Sequence, residues 1–328
     1  MRLGLQIPQG YFNEFEGWEP ARAIRRVIEV CRLAERRGFD SVWFGEHVTS
    51  KWGGESIAFD CFTLATAVAA VVPRVEIGFC IVNTTFRNPA LTAKIASTLD
   101  AVSDGRLVLG LGTGFKPIEA DQFGYPFPSL RERLAMLAEH FEIITRMVEH
   151  DGAPFSYEGQ YAKVHEVINS PRSVRRPRIK ILAAGEGPNI TMRLAARYAD
   201  IFNFGVEFPL AAAAIATLRS RCEEIGRDPA TLELQTGLNP SWPYLDLRNT
   251  YGQRMMTNAD VPYIPPDVWA KTMPRVDLIA GWRDLGMDEL ILAAPGLHNS
   301  DETLDELIED VGRAGVPFPS SQGPGAAG

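Results

Sequence analysis

The chain has 328 residues, of which 45% are hydrophobic and 23% are charged, a balance typical of a packed soluble protein. Its 41 acidic and 33 basic side chains give a net charge of −8, which argues against nucleic acid or an anionic membrane as a partner, because both need a basic patch. The longest apolar run, residues 65–72, is far shorter than the ~18 residues of a membrane span, and no leader sequence is recognisable at the N-terminus.

The cysteines show no paired or metal-binding spacing. Cys31, Cys61, Cys80 and Cys222 are widely separated and form no C-x-x-C motif, so we expect four free thiols in a reducing cytoplasm. No set of His, Asp and Cys has the spacing of a metal site either, and we therefore expect no metal.

Short apolar runs and helical periodicities alternate along the chain. Eight apolar runs predict strands, and they span residues 3–7, 41–45, 75–82, 106–111, 179–183, 200–204, 232–236 and 289–293. A helical pattern follows each strand, over residues 20–37, 58–72, 88–102, 129–148, 188–198, 210–225, 276–285 and 300–311. Local signals support these bounds: Asn88 precedes Pro89 as an N-cap, Ser129 and Glu132 form a capping box, and Gly38 follows the first helix.

Eight successive strand–helix units predict a (β/α)8 TIM barrel in the α/β class. An open, doubly wound sheet is the alternative. Two insertions interrupt the pattern: one follows the fourth helix at 150–178, where residues 155–164 alternate like a hairpin, and a long aromatic loop at 238–272 follows the seventh strand. We expect a single domain over residues 1–315 and a flexible tail at 316–328.

In a barrel, function is built from the loops that follow the carboxyl ends of the strands. Glu46 and His47 follow the second strand. A histidine there can act as a base, donate a hydrogen bond to a ligand, or merely cap the strand. We expect the other four histidines to be solvated; they are His140, His150, His165 and His298.

Two glycine-rich segments also follow strands. Residues 184–189 lead into a helix, where free N–H groups and the helix dipole favour a phosphate, although a tight turn alone would also use these glycines. Residues 109–114 do not fit the G-x-G-x-x-G spacing, because Phe115 or Pro117 stands at the third glycine position, and no helix start follows promptly. Their glycines suit the close approach of a flat ligand.

Four motifs, in order, resemble the bacterial luciferase-like superfamily of barrel oxidoreductases, most closely the branch that depends on coenzyme F420, a deazaflavin. They cover about residues 1–205, and the rest of the chain resembles the family only loosely. The motifs are GFDSVWFGEH (38–47), TFRNPA (85–90), SDGRL (103–107) with GLGTG (110–114), and ILAAGEG (181–187) with LAARYAD (194–200).

The resemblance implies a deazaflavin or flavin across the barrel mouth. Its ring would rest on a bulge at the end of strand 3, where the family has a non-proline cis peptide that by position falls between Cys80 and Ile81. Glu46 matches the family's carboxylate at the ring edge, and His47 matches its catalytic or substrate-facing histidine.

Further positions of the cofactor site follow from the same resemblance. Thr113 and Gly114 would flank the ring or the ribityl chain. The phosphate would be held by Ala184, Gly185, Glu186 and Gly187.

Two departures from the family pattern narrow the expected substrate and cofactor. F420-dependent sugar-phosphate dehydrogenases carry a catalytic glutamate where this chain has Phe115, so sugar phosphates are not the favoured substrates. Bacterial luciferase binds the FMN phosphate with an arginine at the place of Thr113. The absence of that arginine favours F420 over FMN, which remains the alternative cofactor.

We therefore expect an oxidoreductase that exchanges hydride between F420 and a small, largely apolar substrate, with His47 transferring or stabilising the proton. The alternatives are an FMN-dependent monooxygenase that uses O2 and a non-catalytic flavin-binding protein. Trp52, Phe115 and Trp242 are the expected substrate-pocket residues, although ordinary packing between loop and barrel would explain the same aromatic residues. Family members usually form homodimers, which the resemblance implies here too.

Overall fold

The strands of this protein form a barrel and a separate hairpin. A computed structural model describes residues 1–50, 55–205, 208–238, 274–294 and 296–318. The strands in these ranges are β1 (Arg2–Gln6), β2 (Ser41–Phe44), β3 (Glu76–Phe79), β4 (Val82–Asn83), β5 (Leu107–Gly112), β6 (Phe155–Glu158), β7 (Lys163–Val167), β8 (Lys180–Gly185), β9 (Ile201–Phe204), β10 (Glu233–Leu238) and β11 (Glu289–Leu292).

Nine of these strands form one parallel sheet, in the order β3-β2-β1-β11-β10-β9-β8-β5-β4. β3 also pairs with β5, with Ile77 opposite Leu107, and this pairing closes the sheet. β3 and β4 are the two parts of the third predicted strand, interrupted at Cys80 and Ile81. The eight predicted strands therefore occupy eight positions of a closed barrel, which confirms the (β/α)8 prediction over the open sheet.

Helices follow the barrel strands along the chain. Within the described ranges all eight predicted helices are present, and α4 is an additional one. None of these helices is long and apolar enough to cross a bilayer. In the described ranges they are α1 (Pro20–Arg37), α2 (Cys61–Ala69), α3 (Pro89–Val102), α4 (Pro117–Phe123), α5 (Leu130–Met147), α6 (Thr191–Tyr198), α7 (Phe208–Glu223), α8 (Arg275–Asp284) and α9 (Glu302–Arg313).

The local signals for helix ends are confirmed. Gly38 ends α1 in the left-handed conformation, with φ of 91°, which glycine adopts without steric cost. The Asn88 side chain accepts hydrogen bonds from the first N–H groups of α3. Ser129 and Glu132 form both hydrogen bonds of a capping box at the start of α5.

The predicted hairpin between α5 and β8 is also confirmed. β6 and β7 pair in antiparallel fashion, with Tyr157 opposite Val164. The Glu139 carboxylate of α5 fixes the hairpin turn, because it accepts hydrogen bonds from the N–H groups of Gln160, Tyr161 and Ala162. The second predicted insertion, at 238–272, lies outside the described residues apart from Leu238.

The indole of Trp43 fills the barrel interior. A Cβ on Gly4 or Gly78, in the neighbouring strands β1 and β3, would overlap this indole, so glycine at both positions makes room for it. The indole N–H donates to the Ser41 hydroxyl at 2.6 Å. The interior cluster around Trp43 includes Val108, Leu182, Ile201 and Ile291, and Cys80, Ile81 and Ala184 pack against it. Three predicted site residues thus rest directly on this packed interior.

The packed chain extends beyond residue 315. Val316 is buried, and the ring of Phe318 packs edge-on against Phe39 with 5.3 Å between ring centroids. The first three residues of the expected tail therefore belong to the packed structure. Residues 319–328 lie outside the described part of the chain.

Candidate active site

The predicted site residues of the described chain lie at the carboxyl end of the barrel. Glu46 and His47 follow β2, Thr113 and Gly114 follow β5, and the glycine-rich turn that begins at Ala184 follows β8. Because all barrel strands are parallel, these segments meet at one rim, which is where barrels carry function.

A bulge between β3 and β4 forms the floor of this rim. The peptide bond between Cys80 and Ile81 is cis, as the resemblance implied, and both residues are half-buried. A Cβ on Gly110 would overlap the Phe79 carbonyl, and one on Gly112 would overlap the Ile81 side chain. The β5 glycines therefore admit the bulge itself, which corrects the expectation that they admit a flat ligand.

Glu46 connects the end of β2 to the far side of the bulge. Its buried carboxylate forms an ion pair with Arg87 and accepts the Asn83 N–H at 2.6 Å. The Cys61 thiol lies 3.7 Å from the same carboxylate, and Arg87 also reaches Asp60 at 3.0 Å. Both oxygens of Glu46 are thus engaged by the protein, and its predicted contact with a cofactor ring stays a prediction.

Thr113 and Gly114 lie beside the second half of the bulge. Gly114 has a positive φ of 69°, and a Cβ there would overlap the Asn83 side chain. Asn83 in turn accepts hydrogen bonds from the N–H and hydroxyl of Thr85 at 3.0 and 2.9 Å. Thr113 is half-buried next to this contact, a position that suits the predicted role beside a ring or ribityl chain.

His47 is held on three sides. Its Nδ1 lies 3.2 Å from both carboxylate oxygens of Glu119. Tyr11 stacks on the imidazole with 3.5 Å between ring centroids, and Phe115 approaches edge-on at 5.6 Å. The side chain keeps 17% exposure, and within the described ranges Nε2 has no hydrogen-bond partner. The imidazole is therefore fixed through Nδ1, with Nε2 left for chemistry.

Sequence reasoning missed Tyr11, Lys116 and Glu119. Glu119 lies in the first turn of α4, which begins with Pro117. The expectation that no helix starts promptly after residues 109–114 is therefore wrong. Proline at the first helical position was the available signal.

Burial and neighbouring charges shift the pKa values of His47, Lys116 and Glu119. Burial lowers the pKa of His47 below its ordinary value; Glu119 partly opposes this effect, and the Lys116 charge reinforces it. Burial alone would raise the pKa of Glu119, but the hydrogen bond from His47 and the nearby charges outweigh it, so the net shift is downward. Burial also lowers the pKa of Lys116.

The glycine-rich turn after β8 lies on the same rim. Gly185 has a positive φ of 147°, and the Thr191 side chain lies close to both Gly185 and Gly187. Residues 184–187, including Glu186, are half-buried. α6 begins at Thr191, three residues later than predicted, so residues 188–190 form a turn between the glycines and the helix.

The rim beside His47 is apolar. Phe115 is 48% exposed and Ile118 is 53% exposed. A cavity of about 230 Å³ opens between the carboxyl ends of β1 and β11, with apolar walls that include Ile7, Phe12 and Leu297. Of the predicted pocket residues, Phe115 lies beside His47, and Trp52 and Trp242 lie outside the described residues.

The remaining histidines differ from one another. His140 is buried on α5, and burial lowers its pKa to about 4. The expectation that it is solvated is wrong, because α5 packs against α3 and α6. His165, on the hairpin, is exposed as expected, and His150 and His298 are half-buried.

Comparison with known proteins identifies the family. Residues 8–242 match the family model described as luciferase-like monooxygenase. This match covers most of the chain, and the protein therefore belongs to the luciferase-like family.

Two curated relatives carry the name of the same F420-dependent enzyme. An F420-dependent glucose-6-phosphate dehydrogenase from Kineococcus radiotolerans is 30% identical over 198 residues, which cover 60% of this chain and 56% of the relative. The chain thus matches little more than half the length of this relative. The enzyme of the same name from Segniliparus rotundus is 26% identical over 341 residues, which cover 94% of this chain and 98% of the relative.

A solved structure shows the same fold. An F420-dependent secondary alcohol dehydrogenase in complex with an F420-acetone adduct superimposes with a TM-score of 0.74 at 20% identity, covering 94% of this chain and 98% of that one. At this identity the likeness shows the fold alone.

Proposed function

We propose that this protein is an F420-dependent oxidoreductase acting on a small, largely apolar substrate. The observation that carries the proposal is His47 at the barrel mouth, held through Nδ1 by Glu119 and in edge-on contact with the exposed ring of Phe115, with no hydrogen-bond partner for Nε2 among the described residues. The F420-dependent relatives support the choice of cofactor.

The residues at the rim fit a flat ring with a phosphate. Cys80 and Ile81 offer a half-buried, uncharged surface on top of the packed interior. The turn at residues 184–187 offers backbone N–H groups ahead of α6, which favours a phosphate. Thr113, with its hydroxyl in place of a guanidinium, suits F420 better than FMN. When bound, the deazaflavin supplies a carbon that accepts or donates hydride.

The protein's own contribution is proton transfer and exclusion of water. His47 accepts a proton at Nε2 from the substrate or returns it there, and Glu119 stabilises the imidazolium that forms. Tyr11 and Phe115 keep the ring in place from two sides. Phe115 and Ile118 present apolar surface to the substrate, and a closed apolar site strengthens the electrostatic contacts within it.

An FMN-dependent monooxygenase is the second candidate, and the description of the matched family model favours it. The half-buried bulge surface would suit an isoalloxazine ring equally well. Cofactor binding distinguishes the two candidates.

The test is a fluorescence titration of the purified protein with F420 and with FMN, each in both redox states. We expect F420 to bind at least tenfold more tightly than FMN, and turnover to follow when candidate substrates are added. Preference for FMN with O2 consumption would favour the monooxygenase. Tight binding of either oxidised cofactor without any turnover would favour a non-catalytic binding protein.

We further propose a homodimer in the cytoplasm. Leu91 and Val102 are exposed on α3, and their spacing of eleven residues puts both on one helix face. Val71, just after α2, is exposed as well, and α2 packs against α3, which supports an apolar contact surface. All four cysteines are free thiols, which supports a reducing compartment.

A further inference from the structure

Lys116 is a buried cation next to the proposed base. Its ammonium group donates to the Ser50 carbonyl at 2.9 Å and to the Thr49 hydroxyl at 3.2 Å, and it lies 3.4 Å from Glu119 Oε1. The residue is 3% exposed, and its Nζ lies 5.1 Å from the centre of the Tyr11 ring. Lysine is almost never buried unless it is paired, so the burial of Lys116 needs an explanation.

The partner of this lysine is the carboxylate that holds His47. Glu119 is 2% exposed. Its Oε1 also lies 3.3 Å from the N–H groups of Val48 and Thr49. A carboxylate with so many donors has a fixed position, and it cannot swing away from the imidazole.

We infer that Lys116 is a positioning residue that offsets the charge of Glu119, so that His47 stays a neutral imidazole with its proton on Nδ1 and its lone pair on Nε2. The inference rests on the proposed function, because it assigns His47 the role of proton acceptor. It adds a residue that neither the sequence motifs nor the comparisons single out.

Charge balance supports this role. A lone carboxylate in contact with an imidazole stabilises the imidazolium and raises the pKa of the histidine, typically by 1–3 pH units. A protonated His47 would have no lone pair to accept a proton. Lys116 places a positive charge 3.4 Å from Glu119 Oε1 and weakens this effect. Burial, reinforced by the Lys116 charge, lowers the pKa of His47.

No further charge competes with this pair among the described residues packed on His47. Tyr11, from the loop after β1, stacks on the ring and contributes neither a carboxylate nor an ammonium group. Phe115 is uncharged. Glu46, the preceding residue, is ion-paired with Arg87. Lys116 and Glu119, both contributed by the segment at the start of α4, therefore set the electrostatics of the base.

The test measures the protonation of His47 directly, in the full-length protein without cofactor. Nitrogen-15 NMR of histidine-labelled protein gives the tautomer and the pKa, and the His47 signal is assigned with His47→Gln. We expect the Nδ1–H tautomer and a midpoint below 6.5 in the parent protein. Lys116→Met should raise this midpoint by about one pH unit, and Lys116→Arg should restore it.

Two further variants serve as controls for this test. Lys163→Met removes an exposed lysine of the hairpin and should leave the midpoint unchanged. Glu119→Gln should lower the midpoint and keep the ring in place, and it remains measurable if Lys116→Met fails to fold. A midpoint that stays within 0.2 pH units in a folded Lys116→Met protein would overturn the inference, as would an Nε2–H tautomer in the parent.

Failure of this inference is distinguishable from failure of the proposed function. If Lys116→Met leaves the His47 midpoint unchanged while the protein still turns over with F420, the role of Lys116 is wrong and the oxidoreductase proposal stands. If the midpoint shifts as expected but no cofactor binds, the electrostatic role stands and the oxidoreductase proposal fails.

Discussion

The two ends of the barrel hold charged side chains in different ways. At the amino-terminal end, Arg2 contacts the carboxylates of Glu76, Glu233 and Glu289. Lys180 reaches Glu76 and Glu233 from the neighbouring side. This network closes the bottom of the barrel with charges that satisfy one another.

The carboxyl end is built from similar groups with a different outcome. Lys116, Glu119 and His47 also form a compact buried set, but His47 Nε2 has no hydrogen-bond partner among the described residues. Phe115 and Ile118 are exposed beside it. The comparison shows that the charges of the amino-terminal end pair with one another, whereas the carboxyl end keeps one imidazole nitrogen without a hydrogen-bond partner among the described residues, as the proposed proton transfer requires.

The largest expected effect is a loss of turnover caused by a change at the carboxyl end of the barrel. His47→Ala should reduce turnover at least 100-fold, because it removes the proton acceptor, while F420 affinity stays within about threefold of the parent. Absorbance of F420 during turnover and fluorescence titration measure the two quantities. His165→Ala, at an exposed hairpin position, is the matched control. Unchanged turnover in His47→Ala would remove His47 from the mechanism.

A change at the opposite end should affect stability instead. Arg2→Met leaves the buried Glu289 carboxylate without its cation, and should lower the free energy of unfolding by about 2 kcal/mol. Turnover of the folded fraction should stay within about twofold. Denaturant unfolding measures the loss, with Lys163→Met as control, since Lys163 forms an exposed ion pair with Glu158 worth at most about 1 kcal/mol. A large drop in turnover at unchanged stability would contradict the division between the two ends.

The pH dependence of kcat/KM tests the protonation of His47 at the carboxyl end. Burial lowers the pKa of His47 below its ordinary 6.5, so the imidazole stays neutral to more acidic pH. For a reaction that needs this neutral base, the acid limb of kcat/KM should therefore have its midpoint below pH 6.5. An acid limb with its midpoint above pH 7 would mean that His47 is protonated more readily than its surroundings imply.

The smallest expected effect concerns the rim. Phe115→Ala should raise KM for an apolar substrate by about three- to tenfold, because it removes apolar contact surface. The value of kcat should change by less than about twofold, because Tyr11 and Glu119 still hold the His47 ring. Phe123→Ala, which removes a similarly exposed ring at the end of α4, is the control. Equal effects of both variants would remove Phe115 from substrate binding.

Most of the fold could be predicted from the sequence because its signals are local. Barrel strands buried on both faces appear as short, unbroken apolar runs. The residues that begin and end helices, such as Gly38, Asn88 and Ser129, act within one turn of their own position. α4 was missed because its seven residues are too few to show a helical period.

The site could be predicted only in part. His47 lies inside a recognisable motif, and the bulge at Cys80 and Ile81 was implied by the family resemblance, so both were placed correctly at the barrel mouth. The partners of His47 were not predictable in this way, since Glu119 is 72 positions away along the chain and Tyr11 comes from a different loop. Only closure of the barrel brings them together. The role of Gly110 and Gly112 was misassigned for the same reason, because Phe79 and Ile81 approach them across neighbouring strands.

The most direct test of the central claim is a crystal structure of the protein with F420. The account predicts the deazaflavin ring over Cys80 and Ile81, its phosphate at residues 184–187, and His47 Nε2 facing the substrate side of the ring. A ring bound elsewhere, or bound at the mouth with His47 turned away from it, would contradict the account.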